Sequence, residues 1–156
     1  ADVTLPESPR HPPPSPLPSP ECSEPMVFSF FDEAVGYHTA VEVRIARGEW
    51  GRGRCAAWLR PSIPLIDGEV LSPLQAVAIT ADALNGIAMV LDSRHYAFVN
   101  PDMTIALLRA PRSCWVGMDA RGVATPHGVG MNEGRLYDED GDLGRVLQSL
   151  VVRAQR

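Results

Sequence analysis

Ser72-Pro73-Leu74-Gln75-Ala76-Val77-Ala78-Ile79-Thr80-Ala81-Asp82-Ala83-Leu84-Asn85-Gly86-Ile87-Ala88-Met89-Val90-Leu91 is the stretch whose reading decides the fold. Ser72 offers an N-cap oxygen, and Pro73 suits the first helical position, where its missing N–H costs nothing. From Pro73 to about Leu91 the apolar residues recur at helical spacing. Val77, Ala81, Leu84 and Ala88 form one stripe; Ile79, Ala83, Ile87 and Val90 form another. A helix that is apolar on nearly all sides is expected to be buried on nearly all sides. Asp82 is its only ionisable residue before the final turn.

On either side the sequence changes to strand-like patterns. Tyr37 to Arg47 alternates, with Val41, Val43 and Ile45 on one face, and reads as a half-buried strand. A glycine-rich turn through Gly48, Gly51 and Gly53 leads to a second strand from Arg54 to Arg60, ended by Pro61. After the helix come runs at Tyr96 to Asn100, Met103 to Arg109, Cys114 to Arg121, Gly128 to Tyr137 and Gly144 to Arg153. Asp138 to Asp142 reads as the last hairpin turn; it lacks the ligand spacing of a calcium loop. One apolar helix among so many strands predicts an α+β fold, a curved antiparallel sheet wrapped around a single long central helix.

Composition bounds the rest. The chain has 156 residues, 45% of them hydrophobic, which is enough for one domain with a core. Nine of its fifteen prolines lie in the first 25 residues, so residues 1–25 read as a flexible, partly polyproline arm and 26–156 as the domain. The net charge is −5 and every basic residue is Arg, without a basic run, which argues against nucleic acid as a partner. No apolar run reaches the ~18–20 residues of a membrane span, and no basic-then-apolar leader opens the chain. Three widely spaced cysteines read as free thiols in a reducing cytoplasm. His11, His38, His95 and His127 show no metal-ligand spacing, and neither a serine-nucleophile elbow nor a phosphate-binding glycine loop is present, so no metal or cofactor is implied.

Several segments, in order, resemble the C-terminal hotdog domain of acyl-CoA thioesterase II and the related double-hotdog proteins. They are Trp58-Leu59-Arg60, Ala81-Asp82-Ala83-Leu84-Asn85, Asn100-Pro101-Asp102-Met103-Thr104-Ile105, Trp115-Val116-Gly117-Met118-Asp119-Ala120, and Leu136-Tyr137-Asp138-Glu139 followed by Gly144-Arg145-Val146-Leu147-Gln148-Ser149-Leu150. The resemblance covers about residues 27–152. It implies a hotdog fold and hydrolysis of a fatty acyl-CoA by a water held between an aspartate on the central helix, a hydroxyl-bearing residue on the next strand and a glutamine on the last strand. The aspartate falls on Asp82 and the glutamine on Gln148. Asn100 stands at the hydroxyl position, with Thr104 four residues on and expected on the same strand face. Many relatives read Arg-Pro-Pro-x-Gly-Glu-Trp where this chain reads Arg109-Ala110-Pro111-Arg112-Ser113-Cys114-Trp115, without the glutamate. Relatives also carry an N-terminal hotdog first, and the proline arm resembles the linker that follows it.

The residue chemistry agrees with these roles and leaves alternatives open. A carboxylate on a buried helix must find partners or a wet cleft, because desolvation disfavours its charge; Asp82 is either a general base or a structural carboxylate. Gln148 shares a strand face with Val146, Leu150 and Val152, so its amide either aims a water or is a satisfied core polar group. Asn100-Pro101-Asp102 is either part of the site or a strand-end turn. Two functions follow: an acyl-CoA thioesterase, or a non-catalytic acyl-binding or assembly half completing a composite site. Both predict pairing, as a homodimer or with a second hotdog, because a lone hotdog leaves a sheet edge and the open side of its helix bare.

Overall fold

In the computed structural model residues 13–155 are described. Strand β1 (Glu24–Met26) is followed by a one-turn helix α1 (Tyr37–Ala40) and the hairpin β2 (Val41–Gly48) and β3 (Arg54–Pro61). Helices α2 (Pro73–Ala81) and α3 (Leu84–Ile87) come next, then β4 (Tyr96–Leu107), β5 (Val116–Ala124), β6 (Val129–Asp138) and β7 (Gly141–Ala154). The strands form one seven-stranded sheet in the order β1-β2-β3-β5-β6-β7-β4, and each pairing is antiparallel. The sheet wraps the helical segment: the core joins Val77, Ala81, Leu84, Ile87 and Ala88 to Val43, Leu59, Val116, Met118, Leu136 and Val146. This is the α+β hotdog.

The helix begins as the sequence predicts. Ser72 Oγ accepts from the Gln75 N–H, and Gln75 reaches back to the Ser72 N–H, a reciprocal cap. It does not run unbroken to Leu91. Regular helix stops at Ala81, resumes for one turn at Leu84 and ends at Ile87. Nor is it buried all round: Leu74, Ala78 and Asp82, spaced by four, form an exposed line along it. Beneath its buried side the sheet makes room with glycine. A Cβ on Gly134 would stand 2.9 Å from both Leu84 Cδ1 and Val146 Cγ1.

The arm also departs from expectation over its described part; residues 1–12 lie outside the described residues. Leu17 and Pro20 are buried against the outer face of the sheet, where Leu17 joins Trp58, Trp115 and Tyr137 in a second apolar cluster. Trp58 Nε1 donates to the Pro18 carbonyl at 2.7 Å, and an Arg44 guanidinium N–H to the Pro20 carbonyl at 3.2 Å. The extended backbone that proline imposes lets carbonyls point at the sheet without a competing intrasegment hydrogen bond. The segment around Leu17 to Pro20 therefore packs as a strap on the sheet. No helix among the described residues is long and apolar enough to cross a membrane.

Candidate active site

Asp82 sits at the interruption between α2 and α3, where two effects disturb the helical ladder. Thr80, wholly buried, turns its Oγ1 back to the Ala76 carbonyl at 2.8 Å. The Asp82 carbonyl accepts from Gln148 Nε2 on β7 at 3.3 Å. A side chain inserted into the i→i−4 ladder is a recognised cause of a helix break. The result is an exposed Asp82 carboxylate on the open line of the helix.

The floor beneath the break consists of two buried amides. Gln148 on β7 and Asn132 on β6 face each other in register, and both are fully buried. Gln148 lies under Asp82 and Asn132 under Asn85, whose Oδ1 accepts from Asn132 Nδ2 at 3.3 Å. Gln148 Oε1 and Asn132 Oδ1 have no hydrogen-bond partner among the described residues. Gly122, opposite Asn132 on β5, is what admits the second amide: a Cβ there would lie 2.7 Å from Asn132 Oδ1 and 2.3 Å from the Ala88 carbonyl oxygen.

Asn100 reaches the site from the edge strand. Its Nδ2 donates to Asp82 Oδ1 at 2.8 Å. What turns it inward is a bulge: Val99 pairs with Val151 and Asp102 with Ser149, so Asn100 and Pro101 together oppose Leu150. Pro101 has no N–H to give to the ladder, which makes the bulge the accommodating geometry. Asn100-Pro101-Asp102 is thus neither a turn nor a strand end, and the two predicted runs are one strand. The bulge also shifts the side-chain phase, so Thr104 does not share the face of Asn100. Met103 and Ile105 pack on the core, while Thr104 is exposed on the other side, paired in register with Leu147. Three of the four residues expected at the site, Asp82, Asn100 and Gln148, come together; Thr104 does not.

A pocket of about 240 Å³ opens at Asp82 and Asn100, lined also by Phe28, Phe30, Tyr37 and Asn85. Phe28, Phe30, Phe31 and Tyr37 form its aromatic wall, with Trp50 packed behind Phe28 and Phe30, at ring-centroid distances of 4.7 to 6.3 Å. Trp50 Nε1 donates to the Gly86 carbonyl at 2.8 Å and the Tyr37 hydroxyl to the Ile79 carbonyl at 3.2 Å, tying that wall to both sides of the break. Burial, and secondarily the Asp82 charge, push the Tyr37 phenol far above its ordinary range, so it stays a neutral donor. Sequence reasoning passed over Asn85, Asn132 and Tyr37. The one signal for Asn132 was a polar residue in the inward phase of β6, between Gly130 and Gly134.

Asp138 closes the β6–β7 hairpin at the turn the sequence predicts, and its carboxylate is buried. Its side chain is 1% exposed and is gripped by both terminal guanidinium nitrogens of Arg109, Nη1 at 2.8 Å, and by the Arg112 backbone N–H at 3.1 Å. Burial alone would raise its pKa; the Arg109 and backbone hydrogen bonds outweigh it and hold the carboxyl below the usual range.

A sheet wrapped on one helix, with a carboxylate at a helix break flanked by two amides, defines a hotdog domain with a candidate hydrolytic site. The sequence matches the acyl-CoA thioesterase C-terminal domain over residues 7–152, and the chain belongs to that family. No curated protein matches it. Among solved structures it is similar to acyl-CoA thioesterase II TesB2 from Mycobacterium marinum, with 21% identity, TM-score 0.59, and coverage of 99% of this chain and 60% of that one. A hot dog fold protein of unknown function from Alicyclobacillus acidocaldarius superposes with 18% identity, TM-score 0.63, and coverage of 100% and 57%. The tesB protein of Mycobacterium avium subs paratuberculosis does so with 16% identity, TM-score 0.60, and coverage of 96% and 57%. These likenesses show the fold, and the chain spans at most 60% of each of those three proteins.

Proposed function

We propose that the chain hydrolyses a fatty acyl-CoA thioester, with Asp82 as general base. The observation that carries this reading is the 2.8 Å hydrogen bond from Asn100 Nδ2 to Asp82 Oδ1 at the mouth of the aromatic pocket. It fixes one carboxylate oxygen and leaves the other to take a proton from water, while Asn100 Oδ1 can accept that water's second O–H; Gln148, wholly buried, braces the Asp82 backbone from beneath through its carbonyl. The water oxygen bonds to the thioester carbonyl carbon and its proton passes to Asp82. The C–S bond then breaks, Asp82 returns its proton to the thiolate of CoA, and the carboxylic acid leaves and releases its own proton to solvent. The acyl group lies against the aromatic wall. Cys22, Cys55 and Cys114 are free thiols, consistent with work in a reducing cytoplasm.

Pairing with a second hotdog, in a homodimer or with another chain, is part of this reading. Edge strand β4 has a neighbour on one side only. Leu74 and Ala78 stand exposed in line with Asp82, and Ile63, Leu65, Ile66 and Val70 are exposed in the connection before α2. The same exposure of Asp82 favours the second reading, an acyl-binding half whose site a partner completes. Thiol release from medium- and long-chain acyl-CoA by the purified chain, with sedimentation to read its mass, separates the two. Hydrolysis by a homodimer supports the enzyme. Acyl-CoA binding without hydrolysis supports the assembly half.

A further inference from the structure

The proposed reaction leaves one need unmet: a donor for the thioester carbonyl oxygen, on which negative charge develops as water adds. We infer that the side-chain amide of Asn85 is that donor and that Asn132 is the residue that positions it; this rests on the thioesterase reading.

Asp82 at the break and Asn85 in the first turn of α3 both line the pocket. Its Oδ1 is held by Asn132 Nδ2 at 3.3 Å. A planar amide held by its oxygen presents its nitrogen the other way, and Asn85 Nδ2 has no protein partner among the described residues. The free Nδ2 is thus a directed donor beside the carboxylate.

Asn132 is not explained by packing. It occupies the inward phase of β6 between Gly130 and Gly134, under the helix, where an apolar side chain would cost less. Instead the chain buries an amide completely, leaves its Oδ1 without a partner, and reserves Gly122 across the strand to fit it. Its single side-chain hydrogen bond goes to Asn85. A buried polar group with one partner, on a residue that faces the pocket, acts by fixing that partner's orientation. A preformed donor needs no reorganisation as charge develops, which is what makes such a group effective.

Asn85→Ala should lower kcat roughly 10²- to 10³-fold with KM changed less than about threefold, the signature of a donor used in the transition state. Asn132→Asp, whose carboxylate would accept from Asn85 Nδ2 and turn the Asn85 oxygen into the pocket, should lower kcat while retaining Asn85. A spectroscopic readout is independent of turnover. With Asp82→Asn to hold the thioester uncleaved, the infrared carbonyl stretch of bound acyl-CoA should lie below its value in solution. Adding Asn85→Ala should return it towards that value. The inference is overturned if Asp82→Asn abolishes thiol release while Asn85→Ala leaves both kcat and the carbonyl stretch unchanged. If the wild-type chain neither binds nor cleaves acyl-CoA, the thioesterase reading fails and the inference falls with it.

Discussion

Two aspartates, Asp82 and Asp138, exchange the environments their local sequences predict. Asp82 lies within the most apolar stretch of the chain, yet its carboxylate is exposed with one amide partner. Asp138 opens a run of acidic residues that reads as a hairpin turn, and it does close the β6–β7 hairpin, yet its side chain is 1% exposed and clamped by Arg109. The difference is one of purpose in the fold. Arg109 satisfies Asp138 on both oxygens and ties the β4–β5 connection to the β6–β7 turn. Asp82 has one oxygen bound by Asn100 and the other without a partner among the described residues, which suits the base proposed for it.

The most severe test of that contrast is stability. Asp138→Ala strands the partly buried Arg109 and should cost about 3 kcal/mol in urea denaturation, because breaking a buried ion pair leaves an unpaired charge. The pH dependence has a definite sign. The folded Asp138 carboxyl titrates below its unfolded value of about 3.9, so its stabilisation is complete above that pH and disappears as the pH falls through the lower folded value. Asp142, where burial is outweighed by hydrogen bonding and charge from Arg135, adds a loss of the same sign. Asp138→Asn should therefore flatten the acid side of the stability profile. Equal acid slopes for variant and wild type would contradict the role given to Arg109.

Gln148→Leu tests the Asp82 side. It keeps the volume and removes an unpaired buried Oε1, so stability should stay within about 1 kcal/mol, whereas kcat should fall about 10²-fold as the break beneath Asp82 loses its brace. A variant that loses stability but keeps its rate would make Gln148 merely structural. Leu17→Ala should cost roughly 2 kcal/mol if the strap is docked as described; a change under a few tenths would return residues 13–25 to a free arm. Thr104→Ala should have the smallest effect, with kcat/KM within about twofold, since the bulge turns Thr104 away from Asp82. A loss of tenfold or more would restore Thr104 to the site.

What the sequence revealed was periodic, and what it concealed was local. The helix start at Ser72, the burial of Val77, Ala81, Leu84 and Ala88, and the inward phase of Gln148 all follow from spacing. The break at Asp82 depends on an amide from a strand 66 residues away, which no helical pattern encodes. The phase at Asn100 turns on how many residues face Leu150, a property of the β4–β7 pairing rather than of β4 alone. Proline content reports backbone stiffness, which serves a docked segment such as Leu17–Pro20 as well as a free one, so composition alone does not place it. Asn132 needed only the question of why an amide should stand between two inward glycines.

The most direct test of the account is thiol release from acyl-CoA by wild type and by Asp82→Asn, each matched for thermal unfolding. The exposed carboxylate lies at an already irregular point of the backbone, so the substitution should leave the melting temperature within a degree or two while lowering kcat/KM by about 10³-fold. A variant that hydrolyses acyl-CoA as fast as the wild type would show that Asp82 is not the base and that the helix break serves some other end.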